Sequence, residues 1–232
     1  MKYLKITGLV AFLITLISLV IFVLSKKVLI NEIICENQYG KCGNSLLNEL
    51  KNAKGKNLFS SKSNLKEILS LYPSVKDYSI YFKYPSGLKV NLIERKAKFA
   101  IREKDGFYII DREGVVIIRE KTTSLPYLEF NNFDAKLGHK IEERLFFALN
   151  LIFDIHSLYK MKQARVENGS LRVELEPSLS VIFPLEGDRK VLVGSLNLIL
   201  NQLNTSDNNS KIESMSLLAK TIDLRFKNPV IK

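Results

Sequence analysis

Residue types that carry catalysis are scarce in this chain. Among 232 residues there are two histidines and two cysteines. His139 follows a glycine, and His156 falls near the end of a helical pattern. Neither stands in H-x-x-x-H or H-E-x-x-H, so a metal hydrolase has no ligand set. Cys35 and Cys42 have no histidine near them in sequence, which leaves no metal site there. A Cys–His transpeptidase would need its thiol in a cleft, whereas both cysteines belong to the first strand and the loop after it. No G-x-S-x-G elbow is present, and no glycine-rich phosphate loop. Glu94, Asp111, Glu142 and Glu143 read as solvated faces of strands or helices. The expectation is a chain that is not an enzyme and takes no cofactor or metal.

Charge is absent over one long stretch. From Ile6 to Leu24 no residue is ionisable. Nineteen helical residues reach roughly 28 Å, enough to cross a bilayer core. A cleaved signal peptide has a shorter apolar region followed by small residues at the cut site. Here Ser25, Lys26 and Lys27 follow, so 6–25 is expected to be an uncleaved, single-pass anchor. Lysines flank it on both sides, and the positive-inside signal is weak. The bulk of the chain lies C-terminal to it. That places 1–5 as a short cytoplasmic tail and the rest outside the cytoplasm. Acids are also fewer than bases, and the net charge is +11. Setting aside Lys2 and Lys5 leaves +9 outside, which favours anionic lipid headgroups, acidic wall polymers or acidic partners. Nucleic acid is excluded by export and by the even spread of the lysines. The two cysteines fit either a bridge closing a short loop or two free thiols. Asn168, Asn204 and Asn208 stand in N-x-S/T sequons that matter only in a eukaryotic secretory pathway.

Periodicity then divides the chain in two. "KVLINEIICE" reads as a strand and "GNSLLNELKNAKGKN" as a short helix stopped at Gly55. "SKSNLKEILSLYPSV" reads as a second helix, with Asn64 and Glu67 as its capping box. "VKDYSIYFKYPSGLKVNLIER" is a hairpin turning at Tyr84–Gly87. From Ala97 onward, "FAIREKDGFYIIDREGVVIIRE" gives three strands joined at Asp105-Gly106 and at Arg112–Gly114. "LPYLEF" reads as an edge strand. A helix follows with Ile141, Leu145, Leu149, Ile152 and Ile155 on one stripe. The strands "QARVE", "SLRVELE" and "LSVIFPL" come next. A helix capped by Asp188, a polar "TSDNNS" loop and a terminal strand "AKTIDLRF" complete the pattern. The fold class is α+β, with helices set against a mixed, largely antiparallel sheet.

The order of these pieces resembles the FtsQ/DivIB family of bacterial cell-division proteins. The matching residues are Gly43-Asn44, Gly55-x-Asn57-Leu58-Phe59, Pro73-x-Val75, Pro85-x-x-Leu88-x-Val90 and Glu94-Arg95 followed by Ala100. "FYIIDREGVV", Leu125-Pro126-x-Leu128, Val193-Gly194 and Ile222-Asp223-Leu224-Arg225-Phe226 continue the match. Departures are the inserted "NQYGKC", Lys96-Ala97 where the family has proline, and the short tail. The resemblance implies a β-α-α-β-β POTRA domain over 26–96 and an FtsQ-type β-domain over 97–232. It implies a scaffold in the inner membrane at the division septum. Such a scaffold binds an FtsB/FtsL-type pair, meets other divisome components through the POTRA domain, and helps control septal peptidoglycan synthesis. It further implies that the terminal strand offers its free edge to a partner strand through Ile222, Leu224, Arg225, Phe226, Lys227 and Asn228. Phe226 would be the anchor, with Arg225 and Lys227 facing acidic groups. The competing classes are another anchored POTRA-containing assembly or secretion factor and an anchored cell-wall enzyme.

Overall fold

The computed structural model describes residues 12, 15–16, 28–104, 106–130, 133, 136–176, 179–206 and 221–231. They form two compact units that divide between Arg95 and Lys96. Among the described residues no helix is long and apolar enough to cross a membrane. The expected anchor, 6–25, lies outside them apart from Phe12, Thr15 and Leu16.

The first unit contains strands β1 (Glu32–Asn37) and β2 (Gly40–Lys41), helix α1 (Asn44–Leu50) and a 3-10 turn (Lys51–Ala53). Helix α2 (Leu58–Ser70) and strands β3 (Val75–Lys83) and β4 (Gly87–Glu94) complete it. The sheet runs β2-β1-β4-β3, with β1 parallel to β4 and the other pairs antiparallel. Its core joins Ile30, Leu50, Leu65, Leu69, Leu88 and Val90, all essentially buried. The β-α-α-β-β order expected from the pattern is present, with one addition. The "NQYGKC" insertion folds into a hairpin in which β2 covers the end of β1, and Cys35 is bridged to Cys42 beneath it.

The start of α2 differs from the sequence reading. The helix begins six residues before Asn64, and its cap is Asn57, whose side-chain oxygen accepts the Ser60 amide at 2.9 Å. The two asparagines lie two helical turns apart, so both satisfy the local pattern. Only Asn57 has the extended backbone that a cap requires. Ser61, fully buried, donates its hydroxyl to the Ala53 carbonyl at 2.7 Å and ties the helix to the turn before it.

The second unit is built on a nine-stranded sheet. Its first half is β5 (Ala97–Glu103), β6 (Gly106–Asp111), β7 (Val116–Glu120), β8 (Tyr127–Glu129) and helix α3 (Glu143–Tyr159). Its second half is β9 (Gln163–Glu167), β10 (Ser170–Glu176), β11 (Leu179–Phe183), helix α4 (Arg189–Ser206), β12 (Thr221–Asp223) and β13 (Val230–Ile231). The order is β13-β12-β11-β10-β9-β8-β5-β6-β7. Strand β8, expected at an edge, is central and runs parallel to both β5 and β9. Its three residues are too few to show alternation, yet Leu128 is fully buried, as a strand flanked on both sides requires. Helix α3 buries Leu145, Ala148, Leu149, Leu151, Ile152 and Ile155 in one core with Phe99, Ile101, Val173 and Phe183. The Phe99 ring meets Phe146 and Phe153 edge-on, with centroids 6.2 and 6.0 Å away. Ala100 and Ile109 belong instead to a smaller cluster with Ile117, as the two-residue period dictates. Asp188 does cap α4, accepting the Lys190 amide at 2.8 Å. Of the "TSDNNS" loop, Thr205 and Ser206 close α4 and the remainder lies outside the described residues.

Asp111 departs from its reading as a solvated acid. It is 2% exposed, and its Oδ1 accepts the amides of Glu113 and Val115, each at 2.8 Å. It therefore organises the β6–β7 turn, satisfying backbone donors that the turn leaves unpaired.

Two outcomes check these assignments by denaturant unfolding. Asn57→Ala is expected to lower stability by about 1 kcal/mol, while Asn64→Ala leaves it nearly unchanged. Reduction of the Cys35–Cys42 bridge, which closes a loop of sequence separation 7, is expected to cost about 2–3 kcal/mol on the chain-entropy estimate.

Candidate protein interface

The residues expected to meet a partner lie at the end of the sheet where the chain finishes. β12 pairs in parallel with β11, Val181 opposite Ile222, and the Leu224 amide donates to the Ile182 carbonyl at 2.8 Å. This register turns Ile222 (0% exposed) and Leu224 (4%) into the core of the second unit. They hold the strand down and present nothing to a partner.

Asp223 points to the other face and is also buried. A buried carboxylate requires a charged, hydrogen-bonded partner. Arg225 supplies it: Nε donates to Oδ1 at 2.9 Å and Nη2 to Oδ2 at 2.6 Å. The Arg225 amide also donates to Oδ1, at 3.1 Å, and Nη1 reaches Ser170 Oγ at 3.3 Å. Donating to the Asp223 carboxylate pushes the arginine's pKa up. Arg225 was expected to face acids on a partner. Its guanidinium is instead used within the chain, closing the turn onto the first residue of β10.

Phe226 then falls outside. Its ring is 58% exposed and lies 5.7 Å from the Arg225 guanidinium carbon. Lys227 and Asn228 are exposed beside it. After Pro229 the chain doubles back, and β13 pairs antiparallel with β12, Ile231 opposite Ile222 and Val230 opposite Asp223. The outer edge of β12, expected to be open, is therefore covered by the chain's own tail, and the sheet ends one strand further out. Val230 and Ile231 are both exposed. Together with Phe226 they place three apolar side chains within six residues of solvent-facing backbone. The sequence reading missed this last strand, although two β-branched residues after a proline were a signal for it. A cleft of about 230 Å³ adjoins the turn, lined in part by Arg144, Ser170, Pro184, Leu185 and Arg225.

Elsewhere the polar groups serve structure. His156 holds the Met161 carbonyl through Nδ1, closing the chain after α3. The His139 carbonyl accepts the Val116 amide. Ser157 and Lys160 stand at nucleophile-and-base spacing, but Ser157 Oγ donates to the Asp154 carbonyl. Asp154 pairs with Arg189 at 2.8 Å across an open groove of about 1000 Å³ between α3 and α4. Nearby Lys98 lies over the Phe99 and Phe153 rings, and burial lowers its pKa. On the sheet, Glu129 bridges Arg102 (3.1 Å) and Arg165 (2.6 Å). Among the described residues no group of three or more His, Cys, Asp or Glu side chains could hold a metal.

These features define a two-unit α+β protein with an exposed apolar turn at the end of its larger sheet. No family model matches the chain. Over 196 residues it is 29% identical to the cell division protein DivIB of Clostridium acetobutylicum, covering 80% of this chain and 75% of that one. It is 27% identical over 185 residues to the cell division protein DivIB of Clostridium botulinum, covering 76% and 70%. A solved structure of POTRA1-2 of the periplasmic domain of Omp85 from Anabaena aligns with 33% of this chain and 52% of that one, at 14% identity and a TM-score of 0.24. That score is too low to bear on the fold. The chain is thus similar over most of its length to two DivIB cell division proteins.

Asp223→Ala is expected to release the turn while Ile222 and Leu224 stay packed. Hydrogen exchange at the Arg225 amide should quicken roughly five-fold, the factor expected from one lost hydrogen bond. Trypsin should cut after Arg225 and Lys227 sooner than in the parent.

Proposed function

We propose that this chain is a non-enzymatic scaffold of the division machinery, anchored by 6–25 and carrying residues 26–232 outside the cytoplasm at the septum. The first unit stands in this reading as the POTRA domain, open to other divisome components. The second takes an FtsB/FtsL-type partner at its terminal edge, and through that contact the protein helps control septal peptidoglycan synthesis.

The observation that carries the reading is Phe226. A large apolar ring, 58% exposed and braced by a guanidinium, sits beside exposed Val230 and Ile231 in a relative of DivIB proteins. Such a ring costs free energy in water and recovers it on burial against a partner. A partner strand adds outside β13, with main-chain bonds for affinity and with Phe226, Val230 and Ile231 as the side chains it reads. Lys227, exposed beside the ring, meets acidic groups on the partner in this reading. Pro229 lacks an amide hydrogen and so limits indiscriminate pairing along this edge.

Detergent-solubilised full chain and the extracytoplasmic part of its FtsB-like partner give the test. Phe226→Ala is expected to weaken binding by roughly thirty-fold, the scale of an interface hot spot. Its unfolding midpoint should match the parent, because the ring contributes little to the core. Equal binding by the variant would remove the terminal turn from the interface.

A further inference from the structure

The chain enters the first unit at one end of its sheet, and two other segments are tied to it there. The Ile30 amide donates to the Lys56 carbonyl at 2.9 Å, and the Ile30 carbonyl accepts the Gly55 amide at 2.8 Å. Leu29 makes an antiparallel bridge with Asn57. The Asn31 amide donates to the Ser86 carbonyl at 2.9 Å, at the tip of the β3–β4 hairpin. The loop before α2 and the hairpin tip therefore lie beside the residues through which the chain arrives.

Both segments have a distinct composition. Between Lys51 and Lys66 there are three further lysines and no acid. Lys54 and Lys56 are exposed. Leu29 is 54%, Phe59 53% and Tyr84 87% exposed, all at this same end. Nearby Glu32 is paired with Lys83 at 3.5 Å. Helix α2 also starts here, and the positive end of its dipole adds to the lysines. By strand register, the opposite end of the sheet carries Glu36, Asp77 and Glu94 together with Lys41, Lys76 and Arg95, and Glu36 is paired with Lys89 at 2.6 Å. The unit is thus net basic where the chain enters and balanced in charge at the far end.

Exposed rings and leucine among lysines form a poor surface for water and a good one for a headgroup layer. Aromatic side chains settle at the depth where hydrocarbon meets water, and lysines reach the phosphates. The distance fits as well. Four Cα steps separate residue 25 from Leu29, a reach of roughly 14 Å when extended. We propose that this end of the first unit is a docking surface for anionic phospholipid headgroups, made by Leu29, Lys54, Lys56, Phe59 and Tyr84. It rests on the reading of 6–25 as an anchor and adds a second, electrostatic contact that orients the unit on the bilayer.

The chain has no tryptophan, so one can be introduced as a unique probe. Full chain carrying Tyr84→Trp is reconstituted into vesicles of brominated phosphatidylcholine, or of equal parts brominated phosphatidylcholine and phosphatidylglycerol. Tyr39→Trp, 71% exposed in the turn at the opposite end, is the reference. The lipid should quench Tyr84→Trp several-fold more strongly than Tyr39→Trp in the anionic vesicles. The difference should shrink in the neutral ones, in high salt, and on adding Lys54→Glu with Lys56→Glu. Equal quenching at both positions would overturn the proposal, as would quenching that is indifferent to lipid charge and to the lysines. Flotation in alkaline carbonate separates the two failures. A chain that stays with the vesicles yet shows no preferential quenching refutes the docking surface alone. A chain that is stripped off refutes the anchor and the docking surface together.

Discussion

The terminal turn of this protein is the consequence of one register. Val181 opposite Ile222 is the alignment that buries Ile222 and Leu224. Because side chains alternate along a strand, it also buries Asp223 on the other face. A carboxylate in that position must be neutralised, and the nearest cation in sequence is Arg225. The guanidinium folds back, the strand ends, and Phe226 is left in solvent beside the folded arginine. A slip by one residue would reverse all of this, putting Asp223 into the apolar core and Leu224 outside. The exposed ring is thus not a failure of packing but the result of packing two residues earlier.

The first unit obeys a different constraint. It is small, and its core of aliphatic side chains is supplemented by a covalent bridge under the β1–β2 hairpin. Small units gain disproportionately from such links, because the area they can bury is limited. Within this unit an excess of lysine gathers at one end of the sheet. Lys54 and Lys56 are held near the chain's point of entry by hydrogen bonds through the Ile30 backbone, while at the far end Glu36 and Glu94 are matched by Lys41 and Arg95. Backbone pairing, not local composition, brings those lysines to the entry point.

Much of the architecture was legible from period and punctuation. The α3 stripe of Leu145, Leu149, Ile152 and Ile155 became core, and the hairpin around Tyr84–Gly87 formed where turn residues interrupt two alternating runs. The Asp188 cap also appeared where the pattern placed it. Other features were hidden for identifiable reasons. Strand β8 is too short for alternation to report that it is flanked on both sides. Asn57 and Asn64 differ by two helical turns, so sequence could not rank them as caps. Asp111 looks like any acid before a turn until its two backbone donors are seen. Of the candidate site, Phe226, Lys227 and Asn228 remain at the surface, whereas Ile222 and Leu224 are core and Arg225 is spent on Asp223.

The sequence by itself determined the α+β class, the β-α-α-β-β order of the first unit and the scarcity of catalytic residue types. These depend on spacing between near neighbours, which a chain displays directly. Only the tertiary structure decided that the tail folds back as β13, that Arg225 serves Asp223 and Ser170, and that Cys35 meets Cys42. It alone brings Lys56 and Ser86 to the same end of one sheet. Those outcomes depend on which distant segments share a ladder. That choice is made by the packing of a whole core, and no local window of sequence contains it.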